Sequence, residues 1–182
     1  MEKEVFLNLK RKFEYLGAAW YKKECFIPAG WKDKDVSLTL ERVIWNSQVW
    51  VNGIKVEGFN ESLTTPHHFN LSQYLVPGEN NQITIRIDNR KQHDISVNSL
   101  AHAYTNDTQT MWNGVLGKIV LTAKDKMQIR DLCLIPDIDT QTLRVNVKME
   151  NKGSSPISGK LLFTVKAPDG KKLTDKEVQV NG

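Results

Sequence analysis

At 182 residues the chain has room for one large or two small domains with a sizeable core. Its 25 basic and 21 acidic residues leave a net charge of +4 spread along the sequence, without the basic cluster of a nucleic-acid binder or a membrane-surface protein. No apolar run reaches the ~18 residues of a membrane span, and two cysteines, Cys25 and Cys133, make no disulfide framework and stand at no metal-site spacing.

The chain opens polar at Met1-Glu2-Lys3-Glu4, with no signal-peptide pattern. Short strands then follow one another, expected near 20–27, 36–44, 48–52, 54–58, 83–88, 115–122, 129–135, 143–150, 157–167 and 176–180. Alternation is the evidence. In Val36-Ser37-Leu38-Thr39-Leu40 and Ile83-Thr84-Ile85-Arg86-Ile87 the apolar side chains recur at every second position, so one face of each strand is buried. Asn52-Gly53, between Val49-Trp50-Val51 and Ile54-Lys55-Val56, predicts a two-residue hairpin turn, because both residues tolerate positive φ. One helical turn is expected at Ser72-Gln73-Tyr74-Leu75, with Ser72 as N-cap and Pro77-Gly78 stopping it. Segment 89–113 is polar and long, and a loop of that size is functional or disordered. Many short strands with turn residues between them argue for a sandwich or jelly roll.

Charge replaces alternation at Ala123-Lys124-Asp125-Lys126, which predicts a boundary. Residues 127–182 offer four strands, fewer than the roughly seven of an immunoglobulin-like domain. The second domain is therefore expected to be cut short, with strand edges left to pair with another copy as a dimer.

Several blocks in order carry a family resemblance. They are Gly17-Ala18-Ala19-Trp20-Tyr21-Lys22-Lys23 with Phe26-Ile27-Pro28 and Trp31, then Val49-Trp50-Val51-Asn52-Gly53. Phe69-Asn70-Leu71-Ser72-Gln73-Tyr74-Leu75 follows, and the last is Trp112-Asn113-Gly114-Val115-Leu116-Gly117-Lys118-Ile119-Val120-Leu121. This order resembles the N-terminal sugar-binding domain of glycoside hydrolase family 2, the β-galactosidase, β-glucuronidase and β-mannosidase group. The resemblance implies an all-β chain: a jelly-roll, galactose-binding-domain-like β-sandwich over 1–124, then a partial immunoglobulin-like β-sandwich over 127–182. It also implies a retaining exo-glycosidase whose two catalytic carboxylates lie on a (β/α)₈ barrel beyond this sequence. The chain itself is expected to hold no catalytic residue, no metal and no cofactor. Its partners would be a carbohydrate and that barrel, not nucleic acid or membrane, and the parent would act in the periplasm or outside the cell.

By the same resemblance, the loop ending at Trp112 reaches the barrel's active-site mouth. Gln109, Thr110, Trp112 and Asn113 are the candidate substrate-binding residues: amides and hydroxyls exchange hydrogen bonds with sugar hydroxyls, and an indole stacks on a pyranose. Thr110 and Met111 stand where β-galactosidases of the group carry a carboxylate, so no galactose-binding role is carried over. Trp112 is equally readable as a core anchor and Asn113-Gly114 as a turn. Trp20, Trp50, Tyr21 and Trp31 read as core or inter-domain packing, both cysteines as buried, and His67, His68 and His102 as hydrogen-bonded structural groups. The carboxylate pairs Asp33/Asp35, Glu57/Glu61 and Asp137/Asp139 read as turn chemistry. Two other classes stay open: a free-standing jelly-roll carbohydrate-binding module, which would carry exposed aromatics as a platform, and a structural sandwich without sugar chemistry.

Overall fold

The computed structural model describes residues 15–62, 64–93 and 112–181. Among these the chain forms twelve strands, one 3₁₀ turn at Ala29–Trp31 and no α-helix. The fold class is all-β. Two compact units divide the chain, Met1–Ala123 and Lys124–Gly182.

The first unit contains β1 (Ala18–Phe26), β2 (Asp35–Val43), β3 (Asn46–Val51), β4 (Ile54–Lys55), β5 (Asn60–Glu61), β6 (His67–Asn70), β7 (Asn80–Asp88) and β8 (Val115–Lys124). One sheet runs β1-β7-β3-β4 with β5 also paired to β3; the other runs β6-β2-β8. Alternation sets which side chains go inward. Ile83, Ile85 and Ile87 of β7, Val49 and Val51 of β3, Leu38 and Leu40 of β2 and Phe69 of β6 share one buried cluster drawn from both sheets. That cluster makes the unit a β-sandwich. Each such side chain contributes roughly 1.5–3 kcal/mol by leaving water.

The same phase corrects the core half of the expectation for two tryptophans. Val49 and Val51 take the inward positions of β3, so Trp50 stands on the outer face, half-buried. Trp20 points outward from β1 and is 59% exposed. Neither is core. Trp31 does pack against the buried cluster.

Positive φ at Asn52 (52°) and Gly53 (84°) closes the β3–β4 hairpin. Ser72 does not cap a helix. Its Oγ instead accepts from Val36 N (2.8 Å), while Asn70 Oδ1 accepts from Ser72 N (2.9 Å) and a single turn closes with Leu71 O accepting from Tyr74 N (3.0 Å). Strands β5 and β6 fall outside the expected set, being short and led by asparagine and histidine.

In the second unit β9 (Met127–Asp137) pairs with β10 (Thr142–Asn151), and β11 (Ser158–Lys166) pairs with β12 (Lys172–Asn181). At the second turn Gly170, at φ 85°, donates its N–H to Ala167 O (2.9 Å). Each hairpin has an apolar face: Leu132 and Leu134 oppose Val147 and Val145, and Leu161 opposes Val178. None of these side chains is buried. Cys133, across from Asn146 on the polar face, is exposed and not buried as expected; Cys25 is half-buried against the first unit's core.

Candidate functional site

One end of the five-stranded sheet gathers several polar groups of the first unit. Ala18 of β1 pairs with Asp88 of β7, Asp88 with Asn46 of β3, and Asn46 with Glu61 of β5. Cross-strand partners project from the same face. A row of one small, one amide and two carboxylate side chains therefore crosses the sheet at its rim.

Asp88 is only 2% exposed and is held by two guanidinium groups, Arg86 Nη2 at 2.7 Å and Arg90 Nε at 2.9 Å, with Arg90 N donating as well (3.1 Å). The Arg90 hydrogen bond, more than any other cause, lowers its carboxyl from 3.8 to about 2. It is a fixed anion, unsuited to accepting a proton near neutrality. Glu61, at the far end of the row, has its own partners. Its Oε1 accepts the Trp45 indole N–H (3.0 Å) and is paired with His93 Nε2.

Asn89, fully buried, follows Asp88 and ties three segments together. Its Oδ1 accepts from Gly17 N (2.9 Å), and its two amide hydrogens go to Tyr15 O (2.8 Å) and Trp112 O (3.1 Å). An amide is the side chain that offers one acceptor and two donors from one plane. Asn113 adds a fourth tie, donating from Nδ2 to Gly17 O (2.8 Å). Gly114 then turns the chain into β8 at φ 104°, where a Cβ would lie 2.8 Å from the Tyr21 hydroxyl. The positive φ is what favours glycine there.

Of the four candidate residues, Trp112 and Asn113 stand at this rim, while Gln109 and Thr110 lie outside the described residues, as does His102. Trp112 Nε1 and Asn113 Oδ1 are closed off from solvent and have no hydrogen-bond partner among the described residues; the same holds for Asn46 Oδ1 in the rim row. Three orphaned buried polar atoms at one end of one unit are unusual, because a group without a partner costs about 1–3 kcal/mol. Asn46, Asp88 and Asn89 were missed by sequence reasoning. The available signals were an Asn-Ser pair where β3 should be apolar, and Asp-Asn-Arg at the end of the β7 alternation.

The other candidate clusters are local. His67, buried, bonds Ser47 Oγ through Nδ1 (2.6 Å) and faces Ser62 O through Nε2 (3.2 Å). Burial lowers its pKa below 6.5. His68 meets Thr39 Oγ1 at 3.0 Å. Asp35 accepts from Asn70 Nδ2 (2.9 Å), and Asp137 accepts from Thr140 N (3.0 Å). Among the described residues no three His, Cys, Asp or Glu side chains gather as a metal site would need.

The family model described as "Glycosyl hydrolases family 2, sugar binding domain" matches residues 5–122. The chain belongs to glycosyl hydrolase family 2. The rim thus lies in the family 2 sugar-binding domain. A β-galactosidase of Streptococcus thermophilus is 28% identical over 166 residues, which is 90% of this chain and 15% of that protein. Two solved structures share the fold. A β-glucuronidase of Bacteroides uniformis matches with TM-score 0.71 and 22% identity over 92% of this chain and 20% of its own. A putative β-galactosidase of Bacteroides fragilis matches with TM-score 0.71 and 20% identity over 96% of this chain and 26% of its own. The chain thus spans a minor part of each of these family 2 relatives.

Proposed function

We propose that this chain is the non-catalytic N-terminal part of a retaining family 2 exo-glycosidase of the β-galactosidase type, and that the segment ending at Trp112-Asn113 forms one side of the active-site rim. In that role the sandwich is a scaffold. Asn89 and Asn113 fix the end of the loop against Gly17, and Gln109, Thr110, Trp112 and Asn113 offer groups to a glycoside held by the barrel. The barrel supplies the acid/base and the nucleophile.

The observation that carries this reading is the pair of orphaned atoms, Trp112 Nε1 and Asn113 Oδ1, on side-by-side residues of a family 2 sugar-binding domain. A donor and an acceptor together suit a sugar hydroxyl, which can satisfy both. Both atoms are covered in the free chain, so pairing requires the neighbouring chain to shift when the rim meets barrel and substrate.

The test is Trp112→Phe in the complete enzyme. The substitution keeps an aromatic ring, removes the indole N–H and shortens the side chain by the fused second ring. Losing one neutral hydrogen bond made to the substrate should lower kcat/KM about 3- to 10-fold, with only a small change in melting temperature, because the void left by the smaller ring is offset by removal of an unpaired buried donor. Unchanged kinetics would refute the assigned contact. Trp112→Ala separates packing from binding: a loss of ~3 kcal/mol in stability would mark Trp112 as a core anchor.

A further inference from the structure

The outer face of the five-stranded sheet holds a second feature, in the two rows that follow the rim row. Trp20 and Gln48 both oppose Arg86 of β7, while Lys22 and Trp50 both oppose Thr84, and Lys55 opposes Trp50. Register partners share a face, so these side chains form two adjacent rows on the outside of the sandwich. Trp20 and Trp50 stand on the strands flanking β7, offset by two residues along it and so about 12 Å apart at the backbone. Their rings nevertheless meet, with centroids 5.0 Å apart and planes tilted by 40°. The small Thr84 between them leaves the room.

The indole pair is not sealed. Trp20 is 59% exposed. Lys55 Nζ sits 6.0 Å from the centroid of the Trp50 ring. Arg86 is occupied by Asp88 at 2.7 Å, whereas Lys22 and Lys55 have no carboxylate partner among the described residues. An aromatic pair in a polar face, flanked at both ends by free ammonium groups, combines three kinds of contact. The indoles offer a stacking surface, Gln48 and Thr84 offer hydrogen bonds, and the lysines offer positive charge.

The geometry points to a surface site for an acidic glycan: a pyranose ring stacks on the Trp20–Trp50 pair, and uronate carboxylates bind Lys22 and Lys55. This site lies on the sheet face and is separate from the Trp112 rim and from the role proposed for that rim. The lysine row spans three strand spacings, about 14 Å, so its ligand is an oligosaccharide and not a monosaccharide.

The test is titration of the 182-residue chain, followed by tryptophan fluorescence and calorimetry, with trigalacturonate and a hyaluronan tetrasaccharide as acidic probes and cellotetraose as the neutral comparison. At least one acidic probe should bind about 10-fold or more tighter than cellotetraose and weaken several-fold in 0.5 M salt, as exposed charge contacts do. Trp20→Ala should abolish that binding. The double variant Lys22→Gln/Lys55→Gln, at exposed positions where folding is not at stake, should weaken it about 5-fold or more. Failure of both acidic probes to exceed cellotetraose would overturn the assignment, as would binding that survives Trp20→Ala. Concentration-dependent self-association removed by Trp20→Ala, with no preference for acidic sugar, would assign the face to a protein contact and also overturn it.

Discussion

Asn89 and Asp88 decide how the rim is held, and each supports a prediction. Replacing Asn89 with Ala strands Gly17 N, Tyr15 O and Trp112 O in a partly buried setting. With each orphaned group costing about 1–3 kcal/mol, chemical denaturation should show a loss of ~3 kcal/mol or more. Asn89→Asp should restore only part, since it keeps the acceptor and loses the donors. Asp88 has a folded pKa of about 2 against 3.8 unfolded. The shift stabilises the fold by up to about 2 kcal/mol. Because the folded value is the lower one, that contribution is complete above the unfolded pKa and disappears as pH falls through about 2. Wild type should therefore exceed Asp88→Asn in stability at pH 6, with the gap closing as denaturation is repeated down to pH 2. His67 has the same sign in a higher window: its folded pKa is lowered from 6.5 by burial, so its contribution is complete above 6.5 and is lost as pH falls through the lowered value.

At the scale of elements, the β3–β4 hairpin was readable from sequence, but only half of its function. Asn52-Gly53 announced positive φ. What the pattern did not carry is that Asn52 also bridges to β7: its Nδ2 donates to Asn81 Oδ1 (2.9 Å) and its Oδ1 accepts from Gln82 N (2.8 Å). Asn52→Gly keeps the turn conformation and removes both bonds, so it should destabilise by about 1–2 kcal/mol; a stability equal to wild type would reduce Asn52 to a turn residue. The strands with strict alternation were legible for the same physical reason, since Ile83, Ile85 and Ile87 must all face one way. β5 and β6 were not. In His67-His68-Phe69-Asn70 the inward positions are His67 and Phe69, and a histidine buried by Ser47 does not read as apolar. Phase explains the tryptophans too: the alternation runs through Trp50, but the two valines beside it take the core positions. The rim was the least legible part. Asp88, Asn46 and Glu61 are brought into one row by strand pairing between segments far apart in sequence, and no local pattern encodes that.

The two units differ in how far they close on themselves. The first has one continuous buried cluster. In the second every strand has a single neighbour, and large side chains such as Leu132, Leu134 and Leu162 stay exposed. Unpaired edges and open apolar faces favour association. The 182-residue chain should therefore show concentration-dependent self-association by sedimentation velocity, and a 1–123 variant should remain monomeric at the same concentrations. Association undiminished in the shorter variant would place the contact on the first unit. Across the whole molecule, the proposed role sets the Trp112 end of the sandwich against the substrate of a family 2 glycosidase. A structure of the complete enzyme with a bound glycoside analogue tests it most directly. Trp112 Nε1 or Asn113 Oδ1 is expected within about 3.2 Å of a sugar oxygen; a sugar bound in the active site with both atoms still unpaired, or paired only to protein, would overturn the proposed rim role.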